Sequence, residues 1–164
     1  MRKPFTFSLA NLSIFIVCCL VSTSSLAGAE TQEAAAPAKI QIIHPEVLRI
    51  PAKEMKDLLA KKADIVVIDV NPKDFFDSWH IPSAINIPWN SLDSTANRER
   101  KLKKVTIGKL IVLYCLCEEG ADSSEEALEL RRLGHARDKV KVLEGGLIQW
   151  DAKGYPIIKQ DINP

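Results

Sequence analysis

The chain has 164 residues, 22 basic against 21 acidic side chains and a net charge of +1. That balance carries no electrostatic footprint for nucleic acid. The length suits one domain with a sizeable core.

Residues 1–29 read as a cleavable export signal. Arg2 and Lys3 supply a basic start, an apolar run follows at residues 14–21, and Ala27-Gly28-Ala29 gives the small-x-small pattern before Glu30. The run falls short of the ~20 apolar residues of a spanning helix, so no membrane attachment is expected after cleavage. The bulky Val17 before Cys18 argues against a lipid anchor. The expected location is extracytoplasmic, with the bacterial periplasm as the favoured compartment. Cleavage removes Cys18 and Cys19 and leaves Cys115 and Cys117. Two cysteines one residue apart do not staple a secreted scaffold. Their spacing points to redox, metal or nucleophile chemistry.

Residues 30–39 are rich in Ala, Glu and Pro without apolar periodicity and read as a flexible leader. Residues 40–164 are expected to form the folded domain. Residues 40–43 are a short strand candidate, ended by His44-Pro45. Pro51 suits a first helical position, and Met55, Leu58 and Leu59 make a helical stripe over residues 51–61. Residues 65–70 form an apolar, β-branched run, read as a buried parallel strand with Asp69 at its end. A helical turn is expected at 73–78, and an extended stretch holding a short strand at 81–88. The charged residues 91–105 read as a solvated surface helix.

Residues 110–114, Leu-Ile-Val-Leu-Tyr, form a continuous apolar run, as in a strand buried on both faces. A helix follows over 123–133, with a Ser123-x-x-Glu126 capping box and apolar Ala127, Leu130 and Leu133. Gly134 ends it. Between strand and helix lies a loop that holds both remaining cysteines. A thiol at a strand's C-terminal end, before a helix N-terminus, sits where peptide dipoles favour the thiolate. A last strand is expected at 140–143, and Gly145-Gly146 then turn the chain into a helix carrying Leu147, Ile148 and Trp150. The alternation of strands and helices gives an α/β fold, one parallel sheet with helices on both faces. Ligands in such sheets bind beyond the strands' C-terminal ends, where Asp69 and Cys115 both lie.

Four segments resemble the rhodanese-like sulfurtransferase family. They are Ile65-Val-Val-Ile-Asp69-Val70, the stretch from Phe76 through His80-Ile81-Pro82-Ser83-Ala84 to Pro88, Val112-Leu113-Tyr114-Cys115, and Gly145-Gly146-Leu147-Ile148-Gln149-Trp150. The resemblance implies a single domain with a five-stranded parallel sheet in the order 1-5-4-2-3. It also implies a persulfide on Cys115, taken from a small-molecule or protein sulfur donor and passed to a thiol acceptor, with no cofactor. The active loop would be Leu116, Cys117, Glu118, Glu119, Gly120, Ala121, Asp122 and Ser123, its amides turned inward to the sulfur.

Departures from the family pattern bear on activity. The usual loop runs Cys-x-x-Gly-x-Arg-Ser. Here the serine is Ser123, the loop is about two residues longer, and it carries Glu118, Glu119 and Asp122 instead of an arginine. It is similar to a variant subset with Tyr-Cys-x-Cys and an acidic residue. Asn71 stands where an arginine is common, and Trp79 replaces a glycine. Carboxylates near a thiolate oppose its ionisation, so the loop disfavours a dianionic donor such as thiosulfate. Cys117 has three readings: it resolves a Cys115 persulfide, it closes an easily reduced disulfide, or it is passive. Metal binding by the two thiolates lacks a nearby histidine, since His135 lies past the helix. A phosphatase reading needs an arginine where Ala121 stands. Asp69 is expected to cap its strand end or the loop, and His80 to serve as a structural hydrogen-bonding residue. Trp89 and Trp150 read as core. The alternative to a sulfurtransferase is a weak or inactive binding or thiol-redox domain using Cys115 and Cys117.

Overall fold

The structure, a computed structural model, describes residues 40–89 and 95–160. The expected export signal and leader, residue 90, residues 91–94 of the charged stretch, and residues 161–164 lie outside the described residues.

In chain order the elements are β1 (Arg49–Ile50), α1 (Ala52–Ala60), β2 (Ile65–Asp69), α2 (Lys73–Ser78), β3 (Trp79–His80), β4 (Ile85–Asn86), α3 (Thr95–Leu102), β5 (Leu110–Tyr114), α4 (Ala121–Arg132), β6 (Val140–Leu143), α5 (Gly146–Ala152) and β7 (Ile158–Lys159). The main sheet runs β1-β6-β5-β2-β4, with every pair parallel. Counted among these five strands alone, that is the expected 1-5-4-2-3 order. A two-stranded antiparallel ribbon, β3 with β7, was not foreshadowed by the sequence pattern.

The central strand β5 explains the architecture. Ile111, Val112, Leu113 and Tyr114 are all buried, because helices cover both sheet faces. Alternation along a strand then sorts residues between two cores. Ile111, Leu113 and Cys115 pack with Ile68, Leu102, Ala127, Leu130 and Val142 on the α3/α4 face. Val112 and Tyr114 pack with Met55, Val67, Leu143, Leu147 and Trp150 on the α1/α5 face. Asp69 pairs in register with Tyr114. It therefore projects to the α1/α5 face, opposite the side chain of Cys115.

Two local expectations are corrected. Residues 40–43 form no strand, and Ile40 and Ile42 are exposed. A tight turn brings the Val47 N–H to the His44 carbonyl. The edge-strand role falls to Arg49–Ile50, which pairs with β6. The second correction concerns α4, which starts at Ala121 and has no capping box. Gly120, at φ 72°, serves as its N-cap without a side-chain hydrogen bond. Only glycine adopts this left-handed conformation at little cost. Ser123 and Glu126 consequently lie inside the helix, and both are fully buried. Gly134, at φ 102°, follows the α4 C-cap Leu133 as expected.

Candidate active site

Cys115 is the first residue past β5, and Gly120 opens α4, so six residues, 115–120, bridge strand and helix. Cys115 and Cys117 are joined by a disulfide. In this oxidised form Cys115 is 1 % exposed, whereas Cys117 is half-buried. The Cys115 Sγ lies 3.4 Å from the Cys117 carbonyl oxygen and 3.5 Å from Ser123 Oγ. Ser123 in turn donates to the Gly120 carbonyl at 3.2 Å.

The inward cradle of loop amides is not formed at its first member. The Leu116 N–H donates instead to Asn71 Oδ1 at 2.8 Å. Asn71, the residue standing in an arginine's usual place, is thus a support of the loop. It is set by Asp69, whose Oδ1 accepts the Asn71 N–H at 2.7 Å, and by Asn86, whose Nδ2 donates to the carbonyls of Asp69 and Asn71. Asp69 therefore acts on the loop at one remove, through a turn. Burial pushes its carboxyl above the usual range, opposed by the Tyr114 hydroxyl and the Asn71 amide. Tyr114 is pushed up as well, by burial and the neighbouring Asp69, so it remains a neutral phenol whose oxygen accepts the Ile81 N–H at 3.0 Å.

His80 donates through Nδ1 to the Phe76 carbonyl at 2.6 Å and stacks on the Phe76 ring. Its bonding is within α2 and β3, which fits a structural role. Trp150 is buried and donates to the Pro156 carbonyl, and the Trp89 ring lies under the Arg98 guanidinium.

Two walls flank the loop. On the α5 side the Leu147 N–H donates to the Cys115 carbonyl at 2.9 Å. A Cβ at Gly146 would sit 2.5 Å from the Cys117 oxygen and 2.7 Å from the Cys115 oxygen. Gly146 thus serves close backbone approach as well as the turn. At the rim, Gln149 Nε2 donates to Glu118 Oε1 at 3.1 Å. On the other side, residues 43–44 run over the end of the loop. The Ile43 N–H meets the Glu119 carbonyl at 3.4 Å, and His44 Nε2 is 2.8 Å from Glu125 Oε1. The hydrogen bonds to Glu125 and Glu46 raise the His44 pKa. Beneath lies Arg49, which sequence reasoning missed. Its Nη2 donates to the Ile43 carbonyl at 2.7 Å, to Ser124 Oγ at 3.2 Å and to the Glu119 carbonyl at 3.3 Å. The available signal was a lone cation in an otherwise apolar edge strand.

Among the described residues no three of His, Cys, Asp and Glu converge as a metal set. A cleft of about 650 Å³ opens beside the C-terminal ends of α1 and α5, among Lys56, Leu59, Pro82, Trp150 and Tyr155, and no loop residue lines it.

A family model described as rhodanese-like domain matches residues 51–153. The adenylyltransferase and sulfurtransferase MOCS3 of Arabidopsis thaliana is 32% identical over 120 residues, 68% of this chain and 25% of that protein. UBA4 of Meyerozyma guilliermondii, of the same description, is 31% identical over 90 residues, 55% of this chain and 21% of that protein. The chain thus spans a quarter or less of these relatives' length. A protein named sulfurtransferase from Allochromatium vinosum is 25% identical over 68% of this chain and 95% of its own. In fold, the chain is similar to the rhodanese-like domain of the Anabaena Alr3790 protein, with a TM-score of 0.57 and 23% identity over 71% of this chain and 83% of that one. It is likewise similar to the BH2092 protein of Bacillus halodurans, with a TM-score of 0.59 and 24% identity over 70% and 78%.

Proposed function

Since the chain belongs to the rhodanese-like domain family, we propose that it is a sulfurtransferase that carries sulfane sulfur on Cys115, acting outside the cytoplasm. The observation that carries this reading is the placement of Cys115. It directly follows the central strand, faces the first turn of a twelve-residue helix, and has the Ser123 hydroxyl 3.5 Å from its sulfur. Once a dithiol reduces the Cys115–Cys117 bond, the Cys115 thiolate attacks the outer sulfur of a donor persulfide. The donor S–S bond breaks, the donor thiolate leaves, and a Cys115 persulfide forms. An acceptor thiolate then takes the terminal sulfur and returns the Cys115 thiolate. The helix dipole favours the anion. Glu118, Glu119 and Asp122 select a neutral or cationic donor, or a protein persulfide, over a dianion. Residues 1–29 support export.

A second reading, thiol-redox handling without sulfur transfer, is favoured by the disulfide itself and by the burial of Cys115 within it. In that reading Cys117, the more accessible sulfur, is where an external thiol attacks.

Intact mass spectrometry separates the two. The reduced, full chain is offered thiosulfate, a low-molecular-weight persulfide and a protein persulfide. One added sulfur, lost in Cys115→Ser and kept in Cys117→Ser, is the expected result. No adduct from any donor, together with a mixed disulfide forming at Cys117 when the oxidised protein meets an external thiol, overturns sulfur transfer in favour of redox handling.

A further inference from the structure

The loop and the first turn of α4 hold three carboxylates and no cation of their own, yet one guanidinium lies directly under the loop. Strand alternation sends Ile50 to the α1/α5 core and Arg49 to the α4 side. There Arg49 Nη2 gathers three oxygens, from Ile43, Glu119 and Ser124. A Cβ at Gly120 would sit 2.5 Å from its Nη1, so Gly120 is glycine for this contact as well as for its backbone conformation. Nε and Nη1 are buried without a partner. No carboxylate among the described residues forms an ion pair with Arg49; burial lowers its pKa, and the nearby Glu144 opposes that shift. Its positive charge is therefore directed, unneutralised, at the N-terminus of α4, where Ser124 adjoins the serine that touches Cys115 Sγ.

We propose that Arg49 is the positioning residue of the cysteine loop, supplying from β1 the cation that the loop lacks and holding it closed around reduced Cys115. This rests on the sulfur-carrier reading of the same site, but its physical content is the state of the thiol, with or without transfer. The acidic groups around the cysteine loop are Glu118 and Glu119 on the loop, Asp122 and Glu125 of α4, the latter engaged by His44, and Glu144 beyond β6. An opposite charge near a thiol lowers its pKa, and a charge delivered through a hydrogen-bonded helix turn is expected to shift it by about one unit.

The test uses full-length Cys117→Ser protein, in which Cys115 is the free thiol of the folded domain, and follows its alkylation rate against pH. Arg49→Gln is expected to raise the apparent thiol pKa by about one unit and to slow alkylation at neutral pH about tenfold. Arg49→Lys, which keeps the charge, is expected to stay within about 0.3 unit of the parent. An unchanged pKa in folded Arg49→Gln overturns the proposal. If the Gln variant does not fold, the Lys variant decides. A Lys-variant pKa within about 0.3 unit of the parent supports the charge role, and a rise of about one unit overturns it. Sulfur uptake is scored separately. Loss of uptake in the parent with a normal titration sinks the transfer reading alone, and uptake with a pKa indifferent to Arg49 sinks this one alone.

Discussion

The two walls of the cysteine loop are built from different materials. The α5 wall is backbone against backbone: the Leu147 amide holds the Cys115 carbonyl, and Gly146 leaves room for two loop oxygens. The β1 wall is made by side chains, with Arg49 bridging Ile43, Glu119 and Ser124, and His44 reaching Glu125. The first wall tolerates nothing larger than hydrogen at one position, so it fixes where the loop starts. The second can be changed atom by atom, so it is where charge at the loop's end can be tuned. Position and reactivity of the cysteine are thereby set by opposite sides of one short loop.

Breaking the α5 wall is the most damaging change. Gly146→Ala puts a methyl into the Cys115 and Cys117 oxygens at a residue with φ 54°. Overpacking together with a left-handed alanine is expected to cost about 3–4 kcal/mol, read as a lowered denaturant midpoint, and to abolish sulfur uptake. A midpoint within experimental error of the parent would show that the loop is not clamped from this side.

Next in size is a change behind the β1 wall, on α4. Glu126 is fully buried, and both its oxygens lack hydrogen-bond partners. Arg98 Nε stands 3.7 Å away. Burial raises the carboxyl pKa to about 7 from 4.5, with Arg98 opposing. The folded state thus holds a proton that the unfolded state releases, and stability falls as pH climbs from about 4.5 through 7. Glu126→Gln removes that loss. It is expected to gain about 2–3 kcal/mol at pH 8 and nothing at pH 4, checked by denaturant melts at the two values. An equal effect at both would mean that burial does not raise the carboxyl pKa.

Asn71 supports the loop from the turn after β2. Asn71→Ala deprives the Leu116 amide of its acceptor and is expected to cost about 1–2 kcal/mol, whereas Asn71→Asp, which keeps an acceptor, costs less. If both variants lose the same stability, the bond to Leu116 contributes nothing.

How much of this was legible beforehand follows the same division. Apolar runs at 65–70 and 110–114 and the Gly-Gly turn are local patterns, and they gave the buried parallel strands, the place of Cys115 and the start of α5, whereas the sheet order came from the family resemblance. Residues 40–43 misled because their apolar composition matches a strand, while burial and pairing chose Arg49–Ile50. Ser123-x-x-Glu126 matches a capping box, yet a left-handed Gly120 started the helix earlier and turned both side chains inward. Arg49 and Asn71 escaped because their partners are distant in sequence, 75 residues from Arg49 to Ser124 and 45 from Asn71 to Leu116. Sequence periodicity reports which face a residue occupies, not which loop will be folded over it.

The smallest expected effect tests whether the α5 wall is truly a backbone device. Gln149 belongs to the same helix as Gly146, and its side chain reaches Glu118 on the loop at 3.1 Å. That bond lies at the part-buried rim, where water competes for both groups, so Gln149→Ala is expected to cost no more than about 0.5 kcal/mol. A loss approaching that of Gly146→Ala would move the clamp from the peptide groups to the rim. A near-silent Gln149→Ala beside a damaging Gly146→Ala would leave the carbonyls of Cys115 and Cys117 as what α5 holds, and would free Glu118 to meet an incoming sulfur donor.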